Sequence, residues 1–85
     1  MKFMVVETFR AGCRDAVYER FRTTGQMLPE GLVYISSWVS CDGKKCFQLM
    51  EAKDVDMFTP WVADWDDLAE FEVIPVEDSP TGASG

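Results

Sequence analysis

The sequence predicts a single α+β domain in which two helices cover one face of a four-stranded sheet. The chain has 85 residues, which is the size of one domain. Four segments have the alternation or the β-branched content of strands, and two space their apolar residues as amphipathic helices do. Residues 3–7 also resemble residues 47–51, and a helix start follows each of these segments. The order βαββαβ is that of the ferredoxin-like fold, in which we expect the first and third strands to lie side by side and parallel in the middle of the sheet.

The first strand and the first helix begin the chain. Residues 2–9 alternate and are rich in strand-forming side chains, which predicts a strand. Residues 13–26 predict a helix, because Val17 and Phe21 lie four residues apart and so share a side. Gly25 stands where helices commonly end in a residue of positive φ.

A β-hairpin forms the middle of the chain. Residues 32–41 and 46–52 predict the second and third strands, and a turn joins them at the Asp-Gly pair that follows Cys41. Two registers are open, one with Cys41 opposite Cys46 and one with Cys41 opposite Lys44. Both leave the same side chains on the same face, because they differ by two residues.

The second helix and the last strand complete the domain. Asp54 is a good N-cap, but Pro60 lies past the first turn of the helix that it would begin. Pro60 predicts either a kink or a helix that restarts with Thr59 as its cap. Residues 70–76 predict the fourth strand, and Pro75 inside it predicts an edge position.

Charge and composition exclude several classes of function. The net charge is −7, and all eight basic residues lie within residues 1–53, whereas nine of the fifteen acidic residues lie beyond them. Such a charge repels phosphate backbones, so we expect no nucleic-acid binding. The sequence has no histidine, which removes the commonest metal ligand and the usual base of a serine or cysteine nucleophile.

Location and domain bounds follow from the same composition. Residues 1–7 are too short and too soon charged for a signal peptide, and no apolar run approaches the ~20 residues that span a membrane. We therefore expect a cytoplasmic protein with reduced cysteines and no membrane association. One domain is expected over residues 1–77, with a flexible tail over residues 78–85.

Both faces of the predicted sheet are apolar. One face carries Phe3, Val5, Glu7, Phe9, Tyr34, Ser36, Trp38, Phe47, Leu49 and Glu51, and the other carries Met4, Val6, Thr8, Val33, Ile35, Val39, Gln48 and Met50. Two helices can cover one face, and the second, more aliphatic set is the better core. About six large apolar side chains would then stay in water, which forgoes roughly 9–18 kcal/mol at ~1.5–3 kcal/mol each. We therefore expect a homodimer in which two copies pack sheet against sheet.

Five short stretches carry a resemblance to known proteins. They are Met-Leu-Pro-Glu-Gly-Leu at 27–32, Ser-Trp-Val at 37–39, Cys-Phe-Gln-Leu-Met-Glu at 46–51, Trp-Asp-Asp-Leu at 65–68 and Glu-Phe-Glu-Val at 70–73. In these stretches the chain resembles a family of short bacterial proteins that is catalogued only as a domain of unknown function. The resemblance covers nearly the whole chain except its tail, and it implies the dimeric α+β-barrel version of the ferredoxin-like fold. It brings no catalytic residues, and Pro60 in the second helix is a departure from it.

Two glutamates are the candidate catalytic residues. Glu7 and Glu51 lie on one predicted face near the C-terminal ends of adjacent strands, about 4.8 Å apart if they are level. Two carboxyls so close in a partly apolar cavity would leave one of them protonated near neutral pH, as an acid/base pair requires. Alternatively, each points to solvent or pairs with Arg10, Arg14 or Lys53.

An apolar set on the same face is the candidate substrate-binding surface. Its members are Phe3, Tyr34, Trp38, Phe47 and Leu49. They would line a pocket for a small apolar or aromatic molecule, or they would fill the dimer interface.

The three cysteines and an acidic cluster each have two interpretations as well. Cys41 and Cys46 would form a reversible disulfide or stay reduced, and Cys13, beside Arg14 at a helix N-terminus, would be reactive or inert. The acidic residues within 64–72 match no known calcium loop, so we expect a solvated surface there and neither a metal nor a cofactor.

Two classes of function stay open. One is a dimer that binds a small molecule or a partner protein without catalysis. The other is a cofactor-independent enzyme of the monooxygenase or isomerase kind, in which Glu7 or Glu51 is the base for a small aromatic substrate. The absence of histidine favours the first class, but the sequence leaves open whether the protein is an enzyme.

Overall fold

The computed structural model describes residues 1–80, and its elements follow the predicted order βαββαβ. The elements are β1 (Lys2–Phe9), α1 (Arg14–Thr24), β2 (Val33–Val39), β3 (Lys45–Glu51), α2 (Thr59–Trp65) and β4 (Ala69–Val76). A short 3₁₀ turn at Val55–Phe58 precedes α2. The α+β ferredoxin-like arrangement is therefore confirmed. The tail predicted for 78–85 lies outside the described residues from 81 onward.

The four strands form one antiparallel sheet in the order β2-β3-β1-β4. β1 and β3 are neighbours, as predicted, but the prediction that they run parallel is wrong: Lys2 pairs with Glu51 and Thr8 pairs with Lys45. The physical reason lies in the connections. α1 carries the chain back so that β2 runs in the direction of β1, and the hairpin then turns β3 against both of them.

An α-helix starts anew beside Pro60, which was one of the two predicted outcomes, but the predicted cap at Thr59 is wrong, because Phe58 is the N-cap of α2 and no side chain caps it. The Asp54 side chain accepts a hydrogen bond from the Asp56 amide at 3.0 Å and so caps the 3₁₀ turn. α2 begins at Thr59 and holds Pro60 in its first turn, where the helix needs no amide donor. Pro75 lies on the edge strand β4, as predicted.

The antiparallel register changes which side chains share a face. Phe3 pairs with Met50, Val5 with Gln48 and Glu7 with Cys46, so odd positions of β1 stand beside even positions of β3. The prediction that Phe3 and Phe47 share a face is therefore wrong. In β2 an irregularity between Tyr34 and Ser36 adds one residue, which places Tyr34 and Ser37 on the same face as Gln48.

The helix-covered face holds the core. Phe3, Val5 and Met50 are almost fully buried there, and the Phe3 ring meets the Phe58 ring edge to face at 5.1 Å. Both tryptophans of α2 are buried in this core, whereas α1 buries only Val17. The layer of helices therefore packs closely against the sheet at α2 and loosely at α1.

The opposite face has no helix over it, and we call it the open face. Its apolar side chains are those of Met4, Val6, Val33, Trp38, Phe47, Leu49, Ile74 and Val76. Trp38 is 53% exposed and Ile74 is 37% exposed. The expectation that the sheet is apolar on both sides, with one side uncovered by its own chain, is confirmed, although the members of each side differ from those predicted.

Candidate functional site

A cavity of about 390 Å³ lies between α1 and the helix-covered face of the sheet. It exists because α1 contributes one buried side chain, Val17, and leaves space above the middle of the sheet. Six aromatic residues line it: Phe9, Tyr18, Phe21, Tyr34, Trp61 and Trp65. The polar lining comes from Glu7, Gln26, Ser37, Cys46 and Gln48. Volumes of about 300–1,000 Å³ with mostly apolar walls and a few polar groups are typical of small-molecule sites.

Glu7 and Gln48 are the buried polar groups of this cavity. They stand on the central strands β1 and β3 and are 6% and 7% exposed. Gln48 Nε2 donates a hydrogen bond to Glu7 Oε1 at 3.3 Å. Among residues 1–80 no group donates a hydrogen bond to Glu7 Oε2. In the same part of the chain every fully buried side-chain oxygen has a hydrogen-bond partner, so Oε2 is not fully buried. Glu7 Oε2 is therefore open to the cavity that this residue lines.

Burial perturbs the acidity of Glu7. It raises the pKa of the Glu7 carboxyl from 4.5 to about 7, against the smaller lowering effect of the hydrogen bond from Gln48. A carboxyl with a pKa near neutrality can hold or release a proton at the pH of a cell. The same side chain can therefore present a hydroxyl donor or a carboxylate to the cavity.

Cys46 lies directly opposite Glu7 and also lines the cavity. Burial, and secondarily the negative charge of Glu7, raise the pKa of the Cys46 thiol to about 11. Since the thiolate is the nucleophile, this thiol is unreactive at neutral pH. Val39 pairs with Cys46, which leaves Cys41 exposed in the hairpin turn, and all three cysteines are free. Of the two predicted registers, the one with Cys41 opposite Lys44 is the one that continues this pairing.

Two indoles tie one end of the cavity together. Trp61 Nε1 and Trp65 Nε1 both donate to the carbonyl oxygen of Gln26, at 2.9 and 3.3 Å. The outer side is reinforced by Arg20, whose guanidinium donates to both carboxylate oxygens of Asp67 at 2.9 and 2.8 Å. These contacts fix the chain between α1 and β2 against α2.

The other end of the cavity is lined by the exposed strand β2. The Tyr34 hydroxyl and Ser37 Oγ lie 2.6 Å apart and share a hydrogen bond. Tyr34 and Val39 are 39% and 45% exposed. We call this β2 end, with Tyr34, Ser37 and Val39, the mouth of the cavity.

The structure separates the two glutamates that were predicted to pair. Glu51 pairs with Lys2 at the far end of the sheet, so it lies five positions along β3 from the partner of Glu7, or about 17 Å. It is exposed and lies on the other face, with its Oε1 3.7 Å from the N-terminal amine. The predicted Glu7–Glu51 pair is wrong because β3 runs opposite to β1.

The predicted substrate-binding set is also divided. Tyr34 lies at the mouth of the cavity, and Phe3 is in the core. Trp38, Phe47 and Leu49 stand on the open face, on the other side of the sheet. The five side chains therefore do not form one pocket.

Several cavity residues were not among the sequence predictions. Gln48 and Cys46 follow from the antiparallel register, which moves them beside Glu7. Trp61 and Trp65 lie four residues apart on α2, and this spacing is a sequence signal for one shared helix side. This spacing does not show that the two side chains line a cavity, because the sequence does not show how far α1 stands from the sheet.

The described residues hold no other site of these kinds. Within residues 1–80 no group of three or more acidic or cysteine side chains is arranged to hold a metal ion. In the acidic segment near the end of α2, Asp67 instead binds Arg20, and Arg10 Nε donates to the Asp66 carbonyl at 2.9 Å. None of the helices in the same part of the chain is both long enough and apolar enough to cross a membrane.

Comparison with known proteins agrees with the resemblance inferred from the five stretches. No curated protein matches the chain. One family, described as Domain of unknown function (DUF3303), matches residues 1–84, which is nearly the full length. The chain therefore belongs to the DUF3303 family.

Proposed function

We propose that this chain binds a small, mainly apolar molecule in the cavity between α1 and the sheet. One observation carries the proposal: a cavity of about 390 Å³ with aromatic walls has a buried carboxyl at its floor, and no group within residues 1–80 donates to its Oε2. Buried polar groups are normally paired, because leaving one unpaired costs free energy. A few polar groups that face an otherwise apolar cavity of this size are typical of small-molecule sites.

The geometry sets the expected binding mode. The aromatic walls favour an aromatic or aliphatic ring, and Glu7 with Gln48 offers one polar contact on the floor. Access is expected at the mouth, because β2 is exposed there and the other end is held by the two indoles. A molecule with a ring and a single polar substituent fits this arrangement.

Benzyl alcohol is a suitable first probe. It has roughly eight non-hydrogen atoms, and at ~0.5 kcal/mol per atom it would bind with about 4 kcal/mol, a Kd of about 1 mM. Ser37→Phe places a ring in the mouth and is expected to weaken binding at least tenfold. Ser36→Phe is the matched control, because Ser36 is the neighbouring serine and stands on the open face.

Binding is measured by ligand-observed NMR and by the amide shifts of the protein. We expect shifts around Glu7, Gln48 and Tyr34 in the wild type and in Ser36→Phe. If benzyl alcohol and a library of similar fragments leave these amides unmoved, or if both phenylalanine variants bind alike, the cavity is not a binding site.

A second candidate function is proton-transfer catalysis, and the state of Glu7 favours it. A buried carboxyl whose pKa is about 7 has the acidity that a general base or acid needs at neutral pH. Benzisoxazole is a suitable probe, since its ring opens when a base removes one carbon-bound proton and the N–O bond breaks to give a cyanophenolate. We expect ring opening to accelerate as pH rises through about 7 and to be lost in Glu7→Gln. Equal rates in the wild type and Glu7→Gln would exclude this role.

We also propose that two copies associate through the open face. Four strands about 4.8 Å apart and about 25 Å long make a face of roughly 500 Å² per copy. Two such faces bury about 1,000 Å², which is near the lower limit for a specific interface. The half-exposed Trp38, on the edge strand β2 of this face, would then be covered, in keeping with the apolar side chains that this face presents.

The assembly is tested by sedimentation velocity over a range of protein concentrations. We expect a dimer for the wild type and a monomer for Trp38→Lys, because a buried lysine in an apolar interface is unpaired. Val55→Lys is the control, since Val55 is 49% exposed but lies on the 3₁₀ turn and not on the sheet. A wild-type chain that stays monomeric at millimolar concentration would contradict the proposed assembly.

A further inference from the structure

The geometry points to a cation as the ligand: we infer that the cavity between α1 and the sheet recognises a small organic ammonium ion, with its charge on Glu7 and its apolar body among the aromatic rings. This inference rests on the proposed binding function and names the chemical class of the ligand. It is carried by the charges, the rings and the hydrogen bonds that line the cavity.

The lining of the cavity has one carboxyl and no basic side chain. None of the thirteen lining residues is lysine or arginine. The titratable groups that line it with Glu7 are the Cys46 thiol on β3 and the phenols of Tyr18 on α1 and Tyr34 on β2. None of these groups is positively charged in any protonation state. The lining therefore offers no positively charged partner to an anionic ligand, whereas it offers a counter-ion to a cationic one.

The hydrogen bonds leave Glu7 half satisfied. Gln48 Nε2 donates to Oε1 at 3.3 Å, and no group among residues 1–80 donates to Oε2. An ammonium group has three N–H donors and no acceptor, so it can donate a hydrogen bond directly to Glu7 Oε2. Gln48 would hold the carboxylate in place during this contact.

The aromatic lining suits a positive charge. Six aromatic side chains surround the cavity, and the faces of aromatic rings attract cations, most strongly in tryptophan. Two of these rings already have a guanidinium over them: Arg14 lies 5.4 Å from the Tyr18 ring centroid and Arg20 lies 5.5 Å from that of Trp65. Arg20 is paired with Asp67, and neither arginine lines the cavity.

The charge of the whole chain acts in the same direction. The net charge is −7, so the field of the protein concentrates cations near its surface and repels anions. A neutral ligand gains nothing from this field. The surface charge, the aromatic rings and the Glu7 carboxyl therefore all favour a positively charged ligand.

Binding of a cation is expected to be coupled to proton release. An ammonium ion pairs with the ionised form of Glu7, and burial raises the pKa of that carboxyl to about 7 in the free protein. Only about one molecule in ten has Glu7 ionised at pH 6, against about nine in ten at pH 8, so affinity should rise about tenfold between these values. A neutral probe has no such dependence.

The test compares three probes of similar shape: benzylammonium, benzyl alcohol and benzoate. Their binding to the full chain is measured by titration calorimetry at pH 6 and pH 8. We expect benzylammonium to bind most tightly at pH 8, to weaken about tenfold at pH 6, and to lose its advantage over benzyl alcohol in Glu7→Gln. Glu51→Gln is the matched control, because Glu51 is an exposed glutamate on the other face and end of the sheet.

Each result decides between the two proposals. If benzyl alcohol or benzoate binds as tightly as benzylammonium at pH 8, the ligand class is wrong while the binding function stands. A preference for benzylammonium that survives in Glu7→Gln also overturns the inference, because the surface charge alone would then explain it. If none of the three probes binds, both the ligand class and the proposed binding site are refuted.

Discussion

Neutralising Glu7 should remove a pH-dependent loss of stability. Burial raises the pKa of Glu7 from 4.5 to about 7 in the folded chain. Between these pH values the unfolded chain has released a proton that the folded chain still holds, so raising the pH favours unfolding. At about 1.36 kcal/mol per pKa unit, the folded state loses about 3 kcal/mol as the pH rises through this range, and nothing further above it. Glutamine keeps the contact with Gln48 but cannot ionise.

The assay is urea denaturation at pH 5, 6, 7 and 8, followed by tryptophan fluorescence at one protein concentration. We expect Glu7→Gln to be close to the wild type at pH 5 and about 2 to 3 kcal/mol more stable at pH 8. Glu77→Gln, at an exposed position beyond β4, should keep the wild-type pH profile. Parallel profiles for the wild type and Glu7→Gln would refute the reasoning, because Glu7 would then ionise alike in the folded and unfolded chains.

Three further predictions concern other parts of the molecule. Trp65→Phe removes one of the two indole donors to the shared carbonyl and should cost about 1 kcal/mol in urea denaturation; no loss would mean that one indole suffices. Gly12→Ala should cost about 1 kcal/mol from the backbone alone, since φ is +74° and an added Cβ meets nothing within 4 Å. Gly31→Ala should cost more, since φ is +95° and its Cβ would also displace the Met57 methyl group, and equal losses in the two variants would contradict this. Iodoacetamide at pH 8 should label exposed Cys41 at least tenfold faster than Cys46, whose thiol has a pKa raised to about 11, as peptide mass spectrometry would show.

Local structure was predictable because it depends on neighbouring residues. The bounds of β1 match the prediction, the turn lies where the Asp-Gly pair stands, and α2 restarts beside Pro60 because proline tolerates few helix positions. Pro75 indicated the edge position of β4 for an equally local reason.

The direction of β3 could also have been predicted from the sequence, but the resemblance between residues 3–7 and 47–51 suggested that β3 runs parallel to β1. The similar sequences at 3–7 and 47–51 favour parallel strands, whereas a helix return followed by a hairpin requires β3 to oppose β1. Because of this wrong direction, the prediction places Glu51 beside Glu7 and Phe47 beside Phe3, whereas in the structure they pair with Lys2 and Val6. Correct chain geometry would have placed Gln48 and Cys46 beside Glu7 instead.

The cavity itself could not be predicted from the sequence. Its volume depends on how closely α1 approaches the sheet, and the sequence does not reveal that Val17 alone would be buried while Phe21 stays 48% exposed. The acidity of Glu7 depends in turn on that burial. The additional residue in β2 was equally hidden, because Ile35 continues an apolar strand pattern without any glycine to mark the irregularity.

The additional residue in β2, Ile35, affects how readily this edge strand can pair with a strand of another molecule. Edge strands with free backbone groups can recruit further strands from other molecules, and β2 is an edge with neither a charge nor a proline in its sequence Val-Tyr-Ile-Ser-Ser-Trp-Val. The extra residue at Ile35 interrupts the regular ladder and increases the local twist, so an incoming straight strand meets a mismatched row of donors and acceptors. Removal of Ile35 would leave the flanking side chains on their present faces and would straighten this edge. We expect such a variant to keep the fold but to form fibres more readily.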